Sequence, residues 1–100
     1  MEDLRTEEVE NLLTVLTGIE DNDAMFALLE DLFTVREIKE SSQRLQVARM
    51  LDEGNPYTVV EQATGASTTT IARVSKCLGY GAGGYEKALE VLRSSENNAC

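Results

Sequence analysis

One hundred residues, 42% of them hydrophobic and 27% charged, make one small domain whose core is marginal enough that a second copy would help it. There is no histidine, so the usual neutral-pH base and the commonest nitrogen ligand for metals are both missing. A formal net charge of −9 argues against a nucleic-acid partner until its distribution along the chain is considered.

Long amphipathic stretches and a single proline predict an all-α chain. Thr6 caps a first helix to about Thr17, with Val9, Leu12, Leu13 and Leu16 on one side and Gly18 ending it. Asp21 or Asp23 opens a second helix, in which Met25, Phe26, Leu28, Leu29, Leu32 and Phe33 are apolar over nearly the whole surface. Such a helix needs burial on more than one side, and a partner subunit is the natural source. Thr34 and Glu37 have capping-box spacing and start a long helix to about Glu53, with Ile38, Leu45, Ala48 and Leu51 as its main stripe. Gly54 and Asn55-Pro56 stop it.

A helix-turn-helix follows over about 58–78. Thr58 is expected to cap its first helix, and Val59 and Val60 supply the apolar face. Gly65 stands where a left-handed residue must end that helix. Ser67 then caps a second helix, its hydroxyl accepting a backbone N–H near Thr69 or Thr70, and Ile71, Val74 and Leu78 form the buried stripe. Thr69, Ala72, Arg73 and Lys76 point the other way, in a face that is small, basic and free of acids. Beyond a loop at Gly79–Gly84, a last helix from about Tyr85 to Leu92 buries Leu89 and Leu92. Residues 94–100 are expected to be a polar, frayed tail, so the single domain spans 1–93.

A helix–glycine–helix pair also occurs in proteins that never touch nucleic acid; the run of small hydroxyl residues ahead of Ile71 and Arg73 favours a DNA-reading head. The candidate DNA-binding set is Ser67, Thr68, Thr69, Thr70, Ala72, Arg73 and Lys76. The threonines and Ala72 would approach base edges and phosphates, and Arg73 and Lys76 the backbone. The charge is compatible with this, because residues 1–40 hold twelve acids against Arg5, Arg36 and Lys39, a sum of −9, whereas residues 41–100 hold six of each sign. Electrostatic affinity should still be modest, so useful binding would need two sets of contacts from a dimer.

Other features point away from catalysis and cofactors. Gly79-Tyr80-Gly81-Ala82-Gly83-Gly84 satisfies G-x-G-x-x-G, but the dinucleotide fingerprint needs a preceding strand and here a helix comes first. No serine or cysteine has an activating partner in sequence, and paired acids such as Glu7-Glu8 and Asp52-Glu53 read as helix surface. Cys77 and Cys100 show no metal or redox spacing, Cys77 reading as a core thiol and Cys100 as free. No apolar run is long enough to span a membrane, and Met1-Glu2-Asp3-Leu4 does not open a signal peptide. A reducing cytoplasm fits these features, and neither metal nor cofactor is expected.

The segment Gly65-Ala66-Ser67-Thr68-Thr69-Thr70-Ile71-Ala72-Arg73-Val74, followed by Cys77-Leu78-Gly79-Tyr80-Gly81 and Gly83-Gly84-Tyr85, resembles the YerC/YecD group of Trp repressor-like proteins. The likeness extends upstream through Arg44–Leu51 and Gly54 to Phe33-Thr34. It implies a six-helix subunit in an intertwined homodimer, with a helix-turn-helix at each end, acting as a transcriptional regulator, expected to be a repressor, on double-stranded DNA. In that family a corepressor lies between the long central helix and the recognition helix. Arg44, Arg73 and Thr34 fall at the matching positions, where two guanidinium groups could grip a carboxylate or phosphate. Val74 replaces a glycine that leaves room for an indole, the preceding turn is one residue longer, and Gly79 replaces a lysine. The resemblance therefore implies a small anionic effector other than tryptophan, or none, and ordinary pairing with Glu or phosphate is the plainer role for the two arginines. A protein-interaction module and a ligand sensor without DNA stand as alternatives.

Overall fold

The structure is a computed structural model that describes residues 3–98, with side chains through residue 96. Its elements are α1 (Glu7–Gly18), α2 (Asn22–Leu32), α3 (Val35–Asp52), α4 (Tyr57–Thr64), α5 (Thr68–Tyr80) and α6 (Gly84–Asn98), with no strand among the described residues. The chain, read from its sequence as one domain, divides into two compact units, Met1–Ile38 and Lys39–Cys100.

The first unit is built by local rules. The Thr6 hydroxyl accepts the Val9 N–H at 3.3 Å and so caps α1. Of the two candidate aspartates it is Asp21 that opens α2, its carboxylate accepting the Ala24 N–H at 2.9 Å. Thr34 and Glu37 exchange the two bonds of a capping box, Thr34 N–H to the Glu37 carboxylate at 2.9 Å and Glu37 N–H to the Thr34 hydroxyl at 3.1 Å. Neither α1 nor α2 has a buried residue. Phe26 is 54% exposed and Leu32 49%, so a single copy leaves the apolar surface of α2 largely uncovered.

Among the described residues, the buried core lies in the second unit: Val47 and Ala48 from α3, Val60 from α4, Ala66 from the turn, Ile71 and Val74 from α5, and Leu89 from α6. Met50, Leu51, Leu78 and Tyr85 pack around the first six. The α3 helix ends in a Schellman motif, in which the Asn55 N–H reaches the Met50 carbonyl at 3.1 Å and the Gly54 N–H the Leu51 carbonyl at 3.0 Å. Gly54, at φ +89°, supplies the left-handed residue this motif needs.

Three expectations are corrected here. The N-cap of α4 is Pro56, not Thr58: the extended Pro56 (φ −70°) ends in a carbonyl that accepts the Val59 and Val60 N–H groups, both at 3.1 Å. Proline's fixed φ suits this entry, and Thr58 falls inside the first turn. Next, the glycine-rich loop is only Gly81–Gly83, because α5 runs through Tyr80 and α6 begins at Gly84. A side chain at Gly81 would collide with the carbonyl oxygen of Cys77, which fixes glycine there on steric grounds. Finally, α6 continues through the segment expected to fray, as far as Asn98. Arg93 donates to Asp52 at 3.1 Å and Arg49 pairs with Glu96, so two ion pairs of opposite polarity tie its last turns to α3. Residues 99 and 100, including Cys100, lie outside the described residues.

Candidate nucleic-acid interface

The two helices of the reading head are joined by three residues, Gly65-Ala66-Ser67, each with a separate anchor. Gly65 closes α4 at φ +73°, a left-handed conformation that costs a residue with a Cβ about 1–2 kcal/mol. Ala66 is buried in the core, and its N–H donates to the Thr64 hydroxyl at 3.2 Å. Ser67 caps α5 by accepting the Thr70 N–H at 3.2 Å, and its own hydroxyl donates to the Thr70 hydroxyl at 3.1 Å. Gln43 on α3 also donates to the Thr64 carbonyl at 3.0 Å and holds the end of α4 against the long helix.

Burial then sorts the faces of α5. Ile71 and Val74 are buried and Leu78 is half-buried, as their spacing predicts. Ser67, Thr68, Thr69, Ala72, Arg73 and Lys76 are all exposed, so the structure gathers them on the cap and outer surface of one helix. Thr70 differs: it is half-buried and engaged in the cap. The helix contains no acid, and among the described residues neither Arg73 nor Lys76 has an ion-pair partner. Threonine hydroxyls can donate or accept, the Ala72 methyl offers apolar contact, and the two cations suit phosphate oxygens. The sequence reading passed over Gln43, whose role depends on a contact 21 residues away. It also passed over Tyr80, 90% exposed at the far end of α5, because an aromatic beside glycines carries no outward signal.

Each residue read as part of a ligand set has its own local setting. The Thr34 hydroxyl and N–H serve the capping box of α3. Arg44 is half-buried on α3 and donates to the Ser41 hydroxyl at 3.4 Å, while Arg73 is exposed on α5. None of the three lines the cavity of about 430 Å³ bounded by Leu45 of α3, Cys77 of α5, residues 81–84, and Tyr85 and Ala88 of α6. That cavity has no charged side chain in its wall, and half-buried Cys77 is one of its lining residues.

A profile of the Trp repressor protein family matches residues 7–93. The chain belongs to that family. It is 43% identical over 96 residues to the uncharacterized protein YerC of Bacillus subtilis (strain 168), covering 96% of this chain and 92% of that protein. Among solved structures, it is similar to a TrpR-like protein from Eubacterium eligens ATCC 27750, with 42% identity, a TM-score of 0.85, and 89% and 92% of the two chains covered. As a YerC-like member of the Trp repressor family, the chain falls among DNA-binding regulators and not enzymes. The all-α order of six helices is the fold of its structural neighbours. No helix among the described residues is long and apolar enough to cross a membrane.

Proposed function

We propose that this Trp repressor family member is a cytoplasmic, sequence-specific transcriptional repressor that reads double-stranded DNA as a homodimer. The observation that carries the reading is the outer face of α5: exposed Thr68, Thr69, Ala72, Arg73 and Lys76, free of acids, on a helix whose start is fixed by Gly65, Ser67 and Gln43. A rigid start matters because the N-terminal residues of a recognition helix are those that meet base edges. Ser67 and Thr70 contribute by fixing that end of the helix and by offering it to a phosphate. With two cations on each reading helix, site choice rests on hydroxyl contacts and on DNA shape. The homodimer is supported by the first unit, which has no buried residue in α1 or α2.

A small anionic effector, a carboxylate or phosphate met by the guanidinium groups of Arg44 and Arg73 in the second unit, belongs to this reading. Tryptophan is disfavoured as that effector, because Val74, 1% exposed and packed in the core, stands where the resemblance matches a glycine that leaves room for an indole. Selection from a random duplex pool tests the proposal, run with and without added carboxylates and phosphates. A palindrome with half-sites about one helical turn apart is expected. The paired substitution Thr69→Glu and Arg73→Glu should abolish binding while helix content and oligomeric state stay unchanged. Undiminished binding by that variant would place the DNA surface elsewhere.

A further inference from the structure

We propose that Tyr80 extends the reading face of α5 as a neutral clamp on the sugar–phosphate backbone of DNA, its ring lying on a deoxyribose and its hydroxyl donating to a phosphate oxygen. The proposal rests on the DNA-reading function given above and adds a residue to it.

The helix itself puts Tyr80 on that face. An α-helix turns about 100° per residue, so with Thr69 as origin Arg73 stands at about 40°, Lys76 at about −20° and Tyr80 at about 20°. All four are exposed and form one stripe, with Tyr80 at its C-terminal end. Tyr80 is the most exposed large apolar or aromatic side chain among the described residues, at 90%. Its hydroxyl has no hydrogen-bond partner among them. An aromatic ring kept in water forgoes the stabilisation of burial, and a Tyr with one apolar body and one polar tip suits a surface that another molecule covers.

Its neighbours keep the ring clear. Gly79 bears no side chain, and a Cβ there would meet nothing within 4 Å, so the space beside it is open. The Gly81 N–H donates to the Cys77 carbonyl at 2.8 Å, and a Cβ at Gly81 would collide with that same oxygen. The helix therefore stops with Tyr80 as its last residue.

Distance along the axis decides what Tyr80 meets. From Thr69 to Tyr80 the helix rises about 16 Å, whereas the major groove is about 8.5 Å deep. With the N-terminal residues of α5 at base edges, Tyr80 is past the bases and level with the backbone that walls the groove. Donors are scarce at this end. The last carbonyl groups of a helix have no intrahelical partner and repel phosphate. The last turn of α5 holds no basic residue, and Cys77 and Leu78 are half-buried. The Tyr80 hydroxyl is left as the donor, and tyrosine is among the side chains that bond phosphate oxygens. Because it is neutral, the clamp releases no counterion and adds affinity without salt dependence. Because it touches no base, it acts on every sequence alike.

The test measures the full-length parent and variants by fluorescence anisotropy across a salt series, on the duplex enriched from the random pool and on a scrambled duplex. Tyr80→Phe should weaken binding of the dimer to both duplexes by roughly tenfold, one hydrogen bond being lost per subunit. Tyr80→Ala should weaken it further, and neither change should alter the slope of log K against log salt. Lys76→Ala, by contrast, should flatten that slope by about 0.9 per subunit. Tyr80→Arg should recover affinity and steepen it by about 0.9 per subunit. Parent-like affinity in both Tyr80→Phe and Tyr80→Ala would overturn the clamp and leave the DNA-reading function standing. So would a Tyr80→Ala protein that loses its oligomeric state in sedimentation, since the ring would then lie between copies. A parent that binds no duplex would overturn the function and the clamp alike.

Discussion

Thr34 and Glu37 show how one pair of residues sets both a helix start and a pH response. The Thr34 N–H, and behind it the Thr34 hydroxyl, hold the Glu37 carboxyl below its ordinary pKa. A carboxyl lowered in the folded state stabilises at neutral pH, and that contribution is lost as pH falls from the unfolded value, about 4.3, through the folded one. Glu37→Gln keeps an acceptor for the cap but cannot titrate. In thermal melts the gap between parent and variant should be constant above about pH 5 and should narrow at lower pH; a gap independent of pH would show that the box does not titrate with folding. This pair was legible from spacing alone, as were the caps at Thr6 and Ser67, because each bond closes within three residues. Thr58 was misread for the same local reason: a capping residue type stood at the right distance, and the proline two places earlier had already set the helix start.

Elements are held by contacts that local patterns do not reveal. The apolar period identified α5 and its outward face, and burial of Ile71 and Val74 agrees with it. Gln43 has no such pattern, since it is a polar residue on a long helix whose partner is a carbonyl at the end of another. Removing its amide by Gln43→Ala should cost about 1 kcal/mol, the usual worth of a partly buried hydrogen bond. A lower urea midpoint with an unchanged slope would confirm this, and an unaltered midpoint would refute it. The extension of α6 was equally hidden. Ser94-Ser95-Glu96-Asn97-Asn98 has no apolar stripe, and its helix is tied down through Arg93 and Glu96 to Asp52 and Arg49, more than forty residues earlier. The glycine run before it was legible as a corner between helices, while its true length depended on Gly79 and Gly84 joining the flanking helices.

At the scale of the molecule, the separation of charge and the separation of burial coincide. The first unit carries the net charge of −9 and, among the described residues, no buried helical residue; the second is neutral and contains every described residue that is buried. The over-apolar α2 was visible in the sequence as a helix in need of cover. A homodimer that supplies this cover should melt at a temperature that rises with protein concentration, because association contributes free energy by mass action. Melting unchanged between about 1 and 100 μM would instead indicate a subunit stable by itself. In the cell, the uncovered face of α2 makes a solitary chain a target for proteases and chaperones. Under the dimeric reading, abundance and lifetime become coupled: newly made subunits are cleared until enough are present to find one another, and the level of the regulator rises with a threshold instead of in proportion to synthesis.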